Sequence, residues 1–147
     1  MSKFLTPLFL SAIALIFLAS PAFAKDYSLG KVDISVTVNT DRSFQVRETR
    51  IYNFEGSFSW ADLWIPTEVT RDGYSYEIAV SDFTVYDETG TILQTKTDTS
   101  KDQFYAKWFY SAEDERKTFT WTYEVSGDAI KKHKNIAEFY WQAIGRE

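Results

Sequence analysis

The sequence predicts an all-β fold, an antiparallel β-sandwich of about seven to eight short strands after an N-terminal signal helix. Three observations lead there. Apolar and polar residues alternate with a period of two along most of the chain. Aromatic residues reach 18%, and Tyr and Phe outnumber Leu outside the N-terminus, a composition suited to pleated, half-buried surfaces. The six glycines stand singly, at 30, 56, 73, 90, 127 and 145, where they punctuate hairpins and make no phosphate cradle. A chain of 147 residues holds one domain of ordinary size.

Residues 1–24 read as a secretory signal peptide. Lys3 supplies a positive charge, Leu8 to Ala19 is apolar except for Ser11, and Pro21-Ala22-Phe23-Ala24 offers small residues at both sites that signal peptidase reads. Cleavage after Ala24 starts the mature chain at Lys25. An uncleaved membrane anchor is the competing reading, since Phe4 to Ala24 is nearly long enough to span a bilayer.

The mature domain, 25–147, opens on VDISVTVN, where Val32, Ile34, Val36 and Val38 share one face and Asp33, Ser35 and Thr37 the other. Strands follow over Phe44 to Phe54, Ser57 to Ile65, Glu77 to Asp87, Thr91 to Thr97 and Phe104 to Ser111. In TFTWTYEV, Phe119, Trp121, Tyr123 and Val125 point inward, opposite Thr118, Thr120, Thr122 and Glu124. Turn chemistry separates these runs, as at Thr40-Asp41-Arg42-Ser43, Glu55-Gly56, Asp72-Gly73, Glu88-Thr89-Gly90 and Ser126-Gly127. The helical periodicity of Asp128 to Ala143 is broken by Lys131, Lys132, His133 and Lys134. The chain then closes on Phe139-Tyr140-Trp141, which as a strand is apolar on both faces and demands cover on both. Such an edge lacks the charge or proline that guards a terminal strand, so these residues are expected to be the N-terminal part of a longer protein.

Chemistry-bearing residues are sparse. The sequence singles out no catalytic, cofactor-binding or metal-binding residue and implies no cofactor, and the expectation is a non-enzymatic domain. His133, the sole histidine, sits among lysines and reads as a solvated loop. No Cys is present, so the core must hold the fold without disulfides. Removing Lys3 from the 16 basic residues leaves 15 against 21 acidic ones, a net charge of −6 that disfavours nucleic acid as a partner. After Ala24 no apolar run exceeds three residues, too short for a spanning segment. An exported location, in the periplasm or at the cell surface, makes an envelope protein or a cell-surface component the expected partner. The oligomeric state is left open.

Two features resist the simple pattern. In FQVRETRIYNF, the inward face of Phe44, Val46, Tyr52 and Phe54 also carries Glu48 and Arg50. A bulge that turns both charges to water, or a strand covered only at its ends, is the expected solution, and a partly buried pair that fixes register is the alternative. Trp60 and Trp64 share one face of one short strand. Rings of that size usually belong to the core, whereas exposed they would suit a carbohydrate-binding module.

The order of several blocks resembles a family of bacterial membrane proteins called domain of unknown function 2207. The blocks are Val32-x-Ile34-x-Val36; Val46-x-Glu48-x-x-x-Tyr52-x-Phe54-x-Gly56-Ser57-Phe58; Ile65-Pro66; Ala112-Glu113-Asp114-Glu115 with Thr118-Phe119-Thr120; Tyr123-x-Val125-x-Gly127; and Ala137-Glu138-Phe139-Tyr140-Trp141-x-x-Ile144-Gly145. The resemblance implies a signal peptide, a β-rich extracytoplasmic domain serving as sensor or interaction part, and transmembrane helices further on. It implies no reaction and transfers no functional residue.

Overall fold

A computed structural model describes residues 25–71, 73–100, 102–132, 134–139 and 141. Residues 1–24, Asp72, Lys101, His133, Tyr140 and residues 142–147 lie outside the described residues. Among the described residues ten strands form: β1 (Asp26–Val38), β2 (Phe44–Glu55), β3 (Ser57–Pro66), β4 (Glu68–Arg71), β5 (Tyr74–Tyr86), β6 (Thr95–Thr99), β7 (Gln103–Glu113), β8 (Arg116–Gly127), β9 (Ile130–Lys132) and β10 (Ala137–Phe139). The excess over the expected seven to eight comes from β4, β9 and β10, which have three or four residues each and are too short to show a period. A five-stranded sheet runs β1-β2-β8-β5-β4, a three-stranded sheet runs β3-β7-β6, and β9 and β10 form a separate ribbon. Every strand pairing is antiparallel.

The two larger sheets face each other across an aromatic core. From the five-stranded sheet come Phe44, Val46, Val85, Phe119, Trp121, Tyr123 and Val125; from the other come Ile65, Phe104, Ala106, Trp108 and Ala112, all buried. Rings meet across the gap, Trp108 with Trp121 at 5.4 Å, Tyr110 with Phe119 at 4.7 Å and Phe83 with Phe104 at 5.5 Å between centroids. Large rings at these separations add pairwise attraction to the area they hide from water, which compensates for the missing disulfides. At one end Phe139 and Trp141 set their rings against Phe44, at 4.9 and 5.2 Å.

The chain first passes between the two larger sheets at a sharp corner. Gly56 joins β2 to β3 at φ 88°, in the left-handed region open to glycine, and donates its N–H to the Asp114 carboxylate at 2.7 Å. Gly127 is required for a second reason: at φ 102°, a Cβ there would lie 2.5 Å from the Glu77 carbonyl oxygen, so β8 and β5 close on each other only without a side chain.

Register slips re-aim side chains at three places. The pairing shifts between Leu29 and Lys31, between Phe58 and Trp60, and between Ser81 and Thr84, where Asp82 takes φ 55°. Through the last of these, Ile78 and Val80 before the shift and Phe83 and Val85 beyond it all join the core side.

Two strand expectations need correction. The segment expected as a strand over Thr91 to Thr97 forms β6 only at Thr95–Thr99. Upstream, the Asp87 carboxylate accepts the backbone N–H of Thr89 and of Thr91, each at 2.9 Å, and this side-chain turn competes with extended structure. Those hydrogen bonds, led by the Thr89 side chain, hold the Asp87 carboxyl below its ordinary pKa. Thr120 points away from the core as expected, yet it is buried on the outer side of the sheet, with its hydroxyl 2.9 Å from that of Thr49.

The expected bulge at Glu48 and Arg50 is absent, because β2 pairs with β8 without a shift. Both side chains stay on the inward face. Glu48 is 3% exposed, accepting from Arg50 Nε at 2.6 Å and from Trp121 Nε1 at 3.2 Å. The Arg50 guanidinium lies 5.1 Å from the Trp121 ring centre. Burial acts to lower the Arg50 pKa, and the hydrogen bond and charge of Glu48 outweigh it, so it stands above its ordinary value. A one-residue slip of β2 would carry Glu48 and Arg50 together to the wrong face and take Glu48 away from the Trp121 N–H on β8, so the group penalises misregister.

Candidate functional site

The outer face of the three-stranded sheet carries two half-exposed tryptophans, Trp60 and Trp64. It begins with the shift between Phe58 and Trp60. Phe58, Ala61, Leu63 and Ile65 turn toward the core, which leaves Trp60, Asp62 and Trp64 on the outside of β3. Trp60 is 48% exposed and Trp64 51%. The core placement expected for these indoles is thereby overturned: alternation gave their shared face correctly but not which side of the sheet that face was.

Antiparallel pairing sets a matching row from β7 beside them. Trp60 stands opposite Phe109, Asp62 opposite Lys107 and Trp64 opposite Tyr105. From β6, Lys96 pairs with Lys107 and Asp98 with Tyr105. The face is thus a ladder of rungs: Trp60 with Phe109, then Asp62, Lys107 and Lys96, then Trp64, Tyr105 and Asp98.

Side-chain contacts hold the ladder in place. The Lys107 ammonium sits 3.6 Å from the Trp60 ring centre and 5.7 Å from that of Phe109. The Lys96 ammonium lies 5.6 Å from Phe109. Two lysines directly opposed on a sheet repel, and sharing the negative faces of these rings offsets that repulsion. At the other end Trp64 and Tyr105 touch at 5.3 Å, tilted by 42°. The Tyr105 hydroxyl donates to Asp62 Oδ2 at 3.1 Å. Partial burial, then the bond to Asp62 and its charge, raise the Tyr105 pKa above the ordinary tyrosine value, so the phenol stays a donor. Chemically, the face offers apolar rings at two ends and donors and acceptors between them.

Of these residues the sequence had marked only Trp60 and Trp64. Tyr105, Lys107 and Phe109 were legible as one face in FYAKWF, alternating with the buried Phe104, Ala106 and Trp108. Asp62, Lys96 and Asp98 carry no such signal, since their place depends on pairing between distant segments. His133 lies outside the described residues. Among the described residues no group of three or more His, Cys, Asp or Glu is arranged to hold a metal ion. No helix there is long and apolar enough to cross a membrane.

Comparison with curated proteins finds no match, and comparison with solved structures finds none either. A family model described as the N-terminal domain of predicted membrane proteins (DUF2207) matches residues 28–147, well over half of the chain. This chain therefore belongs to the DUF2207 family of predicted membrane proteins and carries its N-terminal domain.

Proposed function

We propose that this chain works outside the cytoplasm as a non-enzymatic recognition domain, the sensor or interaction part of a membrane protein of the cell envelope. The carrying observation is the ring-lined outer face of β3 and β7, where Trp60 and Trp64 remain half exposed although the core is otherwise rich in buried rings. Leaving indoles in water forgoes the stabilisation that burial gives, and such exposure marks interaction surfaces. The signal-like segment ahead of Lys25 and the family's description as predicted membrane proteins support placement at the envelope.

Two measurements test this reading. The full chain fused through Glu147 to alkaline phosphatase should be active in cells and lose activity when residues 1–24 are removed. An inactive fusion overturns the extracytoplasmic placement. A photoreactive side chain installed at Trp64 should capture an envelope component in cells, while one at Ser35, on the outer face of the other sheet, should not. Equal capture, or none at Trp64, removes the recognition role from this face.

A further inference from the structure

We propose that the Trp60–Trp64 ladder is a glycan-binding site for an uncharged polysaccharide segment that spans at least three sugar rings. The inference rests on the recognition role proposed above and gives it a ligand class. A pyranose has an apolar face of C–H groups and an equatorial edge of hydroxyls. It therefore stacks on an aromatic ring while its hydroxyls seek donors and acceptors in the ring's plane. The ladder has that alternation. Trp60 and Trp64 lie four residues apart on one strand, about 13 Å at ~3.3 Å per residue. Between them stand the Asp62 carboxylate, held by the Tyr105 hydroxyl at 3.1 Å, and the Lys107 ammonium, held over Trp60 at 3.6 Å. Two non-adjacent rings can seat on the aromatic ends while the hydroxyls of the sugar between them reach Asp62 and Lys107.

The charge pattern selects the occupant. Asp62 and Asp98 balance Lys96 and Lys107 on this face, so it holds no net charge to attract an anionic polymer. A protein partner fits less well: interfaces concentrate rings at a dry centre and charges at the rim, and here the order is reversed, with charge in the middle and rings at the ends. A bilayer meets the same objection, because Asp62 would enter the apolar region between two anchoring indoles. Hydroxyls satisfy a central carboxylate and ammonium without desolvating them completely. β3 is also an edge strand among the described residues, so sugars seated along it can be approached from its open side.

The test uses the purified exported chain in native gels containing hydroxyethyl cellulose, laminarin or soluble glycol chitin, with polygalacturonate as the anionic control. Retardation by at least one neutral polymer is expected, with matching quenching of tryptophan fluorescence. Trp60→Ala and Trp64→Ala should each weaken binding by about fivefold or more. Asp62→Asn should weaken it several-fold, Ser35→Ala should leave it unchanged, and all four variants should keep the melting temperature within a few degrees. Migration unaffected by every neutral polymer overturns the proposal, as does binding that survives both Trp substitutions. Retardation by polygalacturonate alone, abolished by salt, means simple charge attraction and also overturns it. Protein or liposome capture through Trp64 without glycan binding overturns the glycan assignment while the recognition role stands. An inactive phosphatase fusion defeats the recognition role whatever the gels show.

Discussion

The same three chemical groups, a tryptophan, a cation and a carboxylate, occur together twice in this molecule. Inside, Trp121, Arg50 and Glu48 are closed on one another: both carboxylate oxygens of Glu48 are taken, by Arg50 and by the indole N–H. Outside, Lys107 covers one side of Trp60, and Asp62 is held by a phenol, yet about half of each indole on β3 meets water. The chemistry is alike and the surroundings differ. In the core such a group specifies one register because leaving it half satisfied is costly. On the open face the same group keeps spare capacity, which is what a ligand needs.

The contrast breaks first, and hardest, at Glu48. Replacing it by alanine removes the carboxylate that faces Arg50 and leaves the Trp121 N–H without its acceptor, and a loss of about 3–5 kcal/mol in unfolding free energy is expected from denaturant titration. A paired Glu48→Leu, Arg50→Met variant should recover much of that loss, because it removes both charges together. A loss under about 1 kcal/mol for Glu48→Ala would mean the inner group is as solvated as the outer one.

Alkaline titration sharpens the same contrast. Burial, followed by the charges of Tyr52 and Tyr27, raises the pKa of Tyr110; burial, followed by the charge of Glu48, raises that of Tyr123. Below the unfolded tyrosine pKa of about 10 both phenols are neutral in either state. Above it the unfolded chain releases protons that the folded chain retains, so stability declines as pH climbs from about 10 toward the raised folded values. Circular dichroism should show an alkaline transition that moves to higher pH in the Tyr110→Phe, Tyr123→Phe double variant. Tyr105→Phe, on the outer face, should move it much less. A larger shift from Tyr105 would reverse the assignment of inner and outer groups.

The smallest stability effect belongs to the ladder. Trp64→Ala should change the unfolding free energy by less than about 1 kcal/mol, although it removes the largest side-chain type in proteins. A cost like that of a core tryptophan, about 3–5 kcal/mol, would show that the ring is structural.

The sequence made the strands legible because a half-buried strand writes its period directly into the chain. Phe119, Trp121, Tyr123 and Val125 fell inward as the alternation required. The family blocks likewise matched the region that the family model covers. What stayed hidden needed partners from elsewhere. Glu48 looked misplaced because its two donors sit at Arg50 and on a strand not adjacent in sequence. The Trp60 face was ambiguous because alternation distinguishes two faces without saying which is inside. The shifts at Phe58 and at Asp82 left no mark, since they arise from the fit between paired strands. Thr91 was misread because β-propensity ignores a nearby carboxylate able to capture its amide.

The place of β8 has a consequence for the time course of folding. β1 and β2 form a hairpin from neighbouring residues, but the other side of β2 is paired by β8, whose Trp121 stands 73 positions after Glu48. The same strand pairs β5 on its other side. Until Arg116–Gly127 has been delivered, β2 and β5 each present an unsatisfied edge, and closing so long a loop costs entropy before any contact rewards it. Commitment to the native state therefore waits for the last third of the chain, and one late-arriving strand joins two earlier halves. A nascent chain is accordingly most exposed to aggregation and proteolysis just before β8 inserts.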